Sequence, residues 1–184
     1  MRARAWFLSF VLLLAAGSAT DAVARPTSGG PCSAAVPPGG DWPSLNGDLA
    51  NTRHQPDEAS IGAPQVGDLR PAWSFSGESV GATGGMRSTP IVSGGCVYVA
   101  LGQGYLGDRG DVIALDAETG AVVWHTTLDG SVLGLAAADG LIYATPSSGT
   151  RGEVPLPVVT DAYEPAGSYA VALDARTGKV RWRS

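Results

Sequence analysis

Side chains able to do chemistry are few in this chain, and their spacing rules out most of what they could do together. A serine triad needs a histidine within reach of a serine and a carboxylate. The two histidines, His54 and His125, sit in no such arrangement. A metal site needs clustered His, Cys and acidic ligands, and the sequence has no cluster at ligand spacing. Asp108 and Asp111 hint at calcium, yet their segment lacks the full acidic-loop pattern. The stretch GQGYLG at 102–107 satisfies G-x-G-x-x-G and follows an apolar run. A dinucleotide-binding unit requires a helix to begin there, whereas the following DRGDVIALD reads as a turn and another strand. His125, directly after Trp124, reads as an exposed strand-end residue. No catalytic residue and no metal ligand is assigned.

Cys32 and Cys96 remain. An exported protein can pair two such cysteines. They can equally stand as independent thiols, Cys96 buried in a strand and Cys32 in RPTSGGPCSAAVPPGGD, a Pro/Gly-rich stretch that reads as a flexible leader. Export is expected from residues 1–24: Arg2 and Arg4, an apolar run over 6–16, and Ala22-Val23-Ala24 ahead of a cleavage point. That run falls short of the about 20 apolar residues a bilayer span needs, and no later segment qualifies, so the expected location is secreted, periplasmic or cell-envelope. Without residues 1–24 the chain loses Arg2, Arg4 and Asp21 and carries a net charge of −6, ten basic groups against sixteen acidic. An acidic chain with no basic run argues against nucleic acid as a partner.

The strongest signal is repetition. ALDAETGAVVW at 114–124 returns as ALDARTGKVRW at 172–182, and Tyr98 in the earlier strand corresponds to Tyr143. STPIVSGGCVYVALG holds two short β-rich runs about Gly94-Gly95, a hairpin signature. DVIALD, AETG and AVVWHT form a second hairpin. The four-strand meander recurs from VLGLAAADGLIYATP to the end, with 13 extra residues in TPSSGTRGEVPLPVVTDAYEPAG, length that belongs in an exposed loop. LRPAWSF is a partial earlier echo, so Trp73, Trp124 and Trp182 end three successive units. A period of about 40 to 60 residues with four strands per unit is the signature of a β-propeller blade, and no 3.6-residue apolar pattern supports a helical solenoid.

Within the phrase, Asp opens a turn by bonding nearby backbone amides and Gly120 supplies its positive φ. Alternation then points Trp124 to one face of the last strand, where its ring can lie across the next blade, with small Ala114 and Gly120 expected to make room. The phrase reads as a packing device between blades.

A-L-D-A-x-T-G-x-x-x-W resembles the tryptophan-docking motif of pyrroloquinoline-quinone (PQQ) propeller repeats. These occur in quinoprotein alcohol dehydrogenases, in polyvinyl-alcohol dehydrogenases and in cofactor-free relatives such as the assembly lipoprotein BamB. The arm over 41–70 and the segment after it resemble the start of mature quinoprotein dehydrogenases through Asp41-Trp42-Pro43, Asn51-Thr52-Arg53, Ile61, Val66, Leu69 and Ala72-Trp73. The resemblance implies an all-β propeller, eight-bladed in the full-length family, in which an alcohol gives hydride to PQQ clamped in the ring centre by Ca²⁺. It puts the calcium ligands and the catalytic base on later blades, beyond Ser184. One cofactor contact falls inside this chain: in GGMRSTP the family has a glutamate where Arg87 stands. An adjacent-cysteine pair usual on the following blade has no counterpart in LDGSVLGLAAADG.

The expected organisation is a signal peptide (1–24), a leader (25–40) and a partial propeller over 41–184. The latter divides into an N-terminal arm (41–70), a lone strand (71–76) and two blades (88–128 and 131–184). A propeller closes a ring of typically four to eight blades, so missing C-terminal blades, or another propeller segment, are the expected partners. A non-catalytic segment of a PQQ-dependent dehydrogenase is the first functional expectation, and a cofactor-free binding scaffold of the BamB kind the alternative.

Overall fold

The computed structural model describes residues 32, 39–82, 84–103, 108–149 and 165–184. The expected signal peptide, the leader apart from Cys32, 39 and 40, the tip of the 102–107 motif and the middle of the long insertion lie outside the described residues.

Strong β formers between Gly-containing turns build two antiparallel sheets. The first contains β1 (Gly85–Met86), β2 (Ile91–Ser93), β3 (Cys96–Gly102), β4 (Arg109–Asp116) and β5 (Val122–Asp129), in the order β1-β3-β4-β5 with β2 also on β3. The second contains β6 (Ser131–Ala138), β7 (Leu141–Gly149), β8 (Pro165–Ser168), β9 (Val171–Asp174) and β10 (Val180–Arg183), in the order β10-β9-β7-β6 with β8 also on β7. These are the two expected four-strand meanders, each with one extra short strand. β1 lies ahead of the expected start of its blade, and β8 closes the insertion back onto β7.

The repeat extends to the register. Tyr98 pairs with Ala114 and Ala114 with Trp124; Tyr143 pairs with Ala172 and Ala172 with Trp182. Equal positions in the phrase therefore occupy equal positions in the sheets.

Alternation along a strand assigns neighbouring residues to opposite faces, and the first sheet buries both. Ile91, Tyr98, Ala100, Val112, Ala114 and Trp124 form one core with Val132, Ile142, Val171 and Leu173 of the second sheet. Val99, Leu101, Ile113 and Leu115, on the other face, are covered by Trp73, Phe75, Val80 and Ala82. A sheet covered twice shows near-continuous apolar runs, which is why CVYVALG and DVIALD lack polar alternation.

Residues 71–76 do not form the expected strand. Trp73 and Phe75 turn inward and their neighbours outward, as in a strand, but no ladder of backbone hydrogen bonds joins the segment to a sheet among the described residues. It crosses the face of the first sheet as a strap, and a face contact leaves the strap's N–H and C=O groups without the edge pairing that defines a strand. No helix among the described residues is long and apolar enough to cross a membrane.

Candidate functional site

The repeated tryptophans and the turns they meet are the best-defined constellation in the molecule. In each turn the Asp carboxylate organises the backbone. Asp116 Oδ1 accepts from the Thr119 N–H and hydroxyl, and Asp174 Oδ1 from the Arg176 and Thr177 N–H groups and the Thr177 hydroxyl. Arg181 grips Asp174 from the next strand at 2.6 Å. Its hydrogen bonds, with those of Thr177, hold the Asp174 carboxyl at about 2.

The turn then receives a ring from the preceding unit. Trp124 Nε1 donates to the Ala175 carbonyl at 2.9 Å, and a Cβ on Gly178 would stand 2.6 Å from the ring. Trp73 repeats the arrangement one unit earlier, with Nε1 3.0 Å from the Ala117 carbonyl and a Cβ on Gly120 2.6 Å from its ring. This corrects the expectation that Gly120 makes room for Trp124. Gly120 takes Trp73, and Gly178 takes Trp124, because the ring reaches across to the following turn and not back onto its own. Trp182, third in the series, lies tilted against Tyr143 at a centroid distance of 6.1 Å but is 43% exposed, against 9% for Trp124.

A second constellation gathers at the other end of the sheets. Arg87 is exposed just past β1; its N–H bonds to the Ala100 carbonyl and its Nε approaches the Gly102 carbonyl at 3.4 Å. A Cβ on Gly102 would collide with Ser131 Oγ at 2.0 Å, so a glycine there lets the end of β3 abut the start of β6. Ser88 and Ser131 nearby are buried, and neither hydroxyl oxygen has a hydrogen-bond partner among the described residues.

A third group, not evident from residue spacing, lies between β4 and β5. Asp111, fully buried, accepts through Oδ1 from Arg109 Nη2 at 3.0 Å and Thr127 Oγ1 at 2.8 Å, and meets His125 Nε2 at 2.8 Å. Burial alone would raise the carboxyl; the hydrogen bonds from Arg109, His125 and Thr127 outweigh it and hold the carboxyl below its ordinary value. His125 is therefore not the exposed strand-end residue expected of it. Trp124 faces the second sheet, so its neighbour must face the other way, where Asp111 stands. Counting back from the turn finds the pair, since a register joining Ala114 to Trp124 also joins Asp111 to Thr127. With arginine and histidine both directed at one carboxylate oxygen, the group is a neutralised structural knot.

The remaining sequence candidates do not converge. His54 is exposed on the N-terminal arm, beside an open recess it shares with Asp48 and Asp57. Gly102 and Gln103 open the G-x-G-x-x-G stretch and its other positions lie outside the described residues, but β4 begins at Arg109, where a dinucleotide site demands a helix. Among the described residues no three His, Cys, Asp or Glu side chains assemble as a metal site.

This architecture has close counterparts. Residues 42–180 match the family described as the glucose/ethanol/alcohol dehydrogenase β-propeller domain. The chain belongs to this PQQ β-propeller family. It is 29% identical to the quinohemoprotein alcohol dehydrogenase of Comamonas testosteroni over 78% of its own length and 25% of the relative's. It is 33% identical to the lanthanide-dependent methanol dehydrogenase of Methylorubrum extorquens over 73% of its length and 20% of that protein. Among solved structures, a europium-containing methanol dehydrogenase superposes with a TM-score of 0.54 and 29% identity, covering 80% of this chain and 23% of the other. The chain thus spans about a quarter or less of the proteins it matches, and the two sheets are propeller blades related to those of quinoprotein alcohol dehydrogenases.

Proposed function

We propose that this chain supplies the N-terminal arm and two successive blades of an exported PQQ-dependent alcohol dehydrogenase, and that further blades, on the same gene product or on another propeller segment, complete the ring. The observation that carries the reading is the exposed Trp182. Two identical tryptophan positions each meet a following A-x-D-A-x-T-G turn, and the third has none. An apolar ring left open at a repeated docking position calls for the next unit of the same kind.

In the completed ring PQQ, when bound beside Ca²⁺ or, as the Methylorubrum relative's name indicates for that protein, a lanthanide, supplies the hydride acceptor for alcohol oxidation. The fit of this chain's residues to the group is confined to one side chain. Arg87 presents an exposed guanidinium at the end of the sheets where the hydroxyls of Ser88 and Ser131 have no partner among the described residues, and a guanidinium suits a carboxylate of the quinone. The family resemblance puts the metal ligands and the base on later blades, beyond Ser184, and in this reading the segment is not catalytic by itself.

Arg87 in place of the family's glutamate, and the absence of an adjacent-cysteine pair after Asp129, favour a second reading, a cofactor-free propeller serving as a binding scaffold. Export draws support from the features of residues 1–24 and from the Cys32–Cys96 disulfide, a bond that persists in oxidising compartments. The N-terminus of the secreted form is expected at Arg25.

Reading the coding sequence past codon 184 tests the central proposal. Further A-x-D-A-x-T-G-x-x-x-W phrases are expected there. An immediate stop codon, together with a monomer of 25–184 that melts cooperatively, sinks it.

A further inference from the structure

The N-terminal arm does more than precede the blades: it ties them together at one end. β2 and β6 are outer strands of their sheets, and each has one edge that no other strand of its sheet pairs. Trp42 bridges to Val92 of β2 in both directions, N–H to carbonyl at 2.8 Å and carbonyl from N–H at 2.9 Å. The next residue, Pro43, accepts from the Ala137 N–H of β6 at 2.8 Å. Two consecutive arm residues therefore hold the free edges of both blades. Asp41 seats the segment by accepting from Ser93 Oγ and the Gly94 N–H, each at 3.2 Å. Cys32, nine positions before Asp41, is disulfide-bonded to Cys96, the first residue of β3, and both are buried, 4% and 0% exposed.

We infer that the Cys32–Cys96 bond and residues 41–43 form a redox-dependent clip that fixes the two blades to each other. The contacts at 41–43 are a handful of hydrogen bonds, each of small net strength because it replaces a bond to water, too few to hold a long excursion of chain against its entropy. A covalent tether nine residues away keeps the segment at an effective concentration on the order of millimolar beside its docking edges. Lifting the arm while the bond is intact then costs contacts and gains little freedom; once the bond is cut, it releases a long segment. The clip sits at the start of β3, opposite the end that carries Arg87, Ser88 and Ser131, so it joins the blades without occupying that end. In the reductive step an external dithiol gives two electrons and two protons to the cystine. The Cys32–Cys96 S–S bond breaks, both sulfurs become thiols, and the dithiol closes to its own cyclic disulfide. Because both cysteines are buried, the attacking thiolate gains fuller access when the arm lifts.

Hydrogen exchange of the full chain, oxidised and then treated with dithiothreitol, tests this. On reduction the amides of Trp42, Val92 and Ala137 are expected to exchange at least about tenfold faster while those of β4 and β5 keep their protection. In the oxidised protein, Asp41→Ala should speed the reduction itself, since it loosens the seat that shields the bond. Cys32→Ser should reproduce the reduced pattern, and if that variant fails to fold the reduced wild-type chain carries the comparison. Unchanged protection at Trp42, Val92 and Ala137, or an equal loss through both sheets, overturns the clip.

Discussion

The indole of Trp124 lies on Gly178, one unit further along the chain, with its Nε1 donating to Ala175 three residues before that glycine. This contact, repeated by Trp73 on Gly120, turns a periodic sequence into a periodic packing.

Truncating the ring removes the contact and leaves a cavity between the sheets. Trp124→Ala is expected to cost about 3–5 kcal/mol of unfolding free energy. Trp182→Ala, at the equal position but half in solvent, should cost about 1 kcal/mol or less. Urea titrations of the two variants side by side check the asymmetry, and equal losses would mean that Trp182 is covered in solution.

The glycine beneath the ring can be separated from the glycine of an ordinary turn. Gly178 and Gly140 both hold φ near +70°, but a Cβ meets Trp124 at 2.6 Å in the first case and nothing within 4 Å in the second. Both substitutions to alanine incur a left-handed strain of about 1–2 kcal/mol. Gly178→Ala should cost about 1–3 kcal/mol more, the usual range for overpacking, as read from the difference in their denaturation midpoints.

Acid should loosen the blades through two carboxylates. Asp111 and Asp174 are both held below their ordinary value of 3.8, Asp174 at about 2. A carboxylate depressed in the folded state contributes stability above its unfolded value and loses it as pH falls through the folded one. The urea midpoint is therefore expected to stay level down to about pH 4 and to drop between there and about pH 2. Asp111→Asn should lower stability near neutral pH by about 1–3 kcal/mol, through hydrogen bonds lost from Arg109 and His125, and give a shallower acid limb.

Most of the fold is legible in the sequence because the repeat writes the same residues at the same strand positions. Tyr98 and Tyr143 align by eye, and their pairing with Ala114 and Ala172 follows. Less is legible where the partner is distant in sequence. Nothing in the leader's composition says that Cys32 reaches Cys96, since pairing depends on where a leader residue comes to lie in space. The strap at 71–76 reads as a strand because a face contact and an edge contact impose the same alternation. His125 escapes for a simpler reason: its position in the sequence says only that it follows Trp124, and its role emerges when the face opposite Trp124 is followed across the hairpin to Asp111.

Arg87 bears on function more than on folding. It is exposed, and its one side-chain hydrogen bond among the described residues is long at 3.4 Å, so Arg87→Ala should leave stability within about 0.5 kcal/mol of wild type. A larger loss by thermal or urea unfolding would assign the side chain a structural role and remove it as a cofactor-facing group.

Calorimetric titration of the purified chain with PQQ in the presence of Ca²⁺, followed by an alcohol-dependent dye-reduction assay, addresses the account most directly. Two blades without the rest of the ring should give no saturable binding and no alcohol-dependent reduction. One-to-one binding of PQQ with turnover of an alcohol by this chain alone would contradict it.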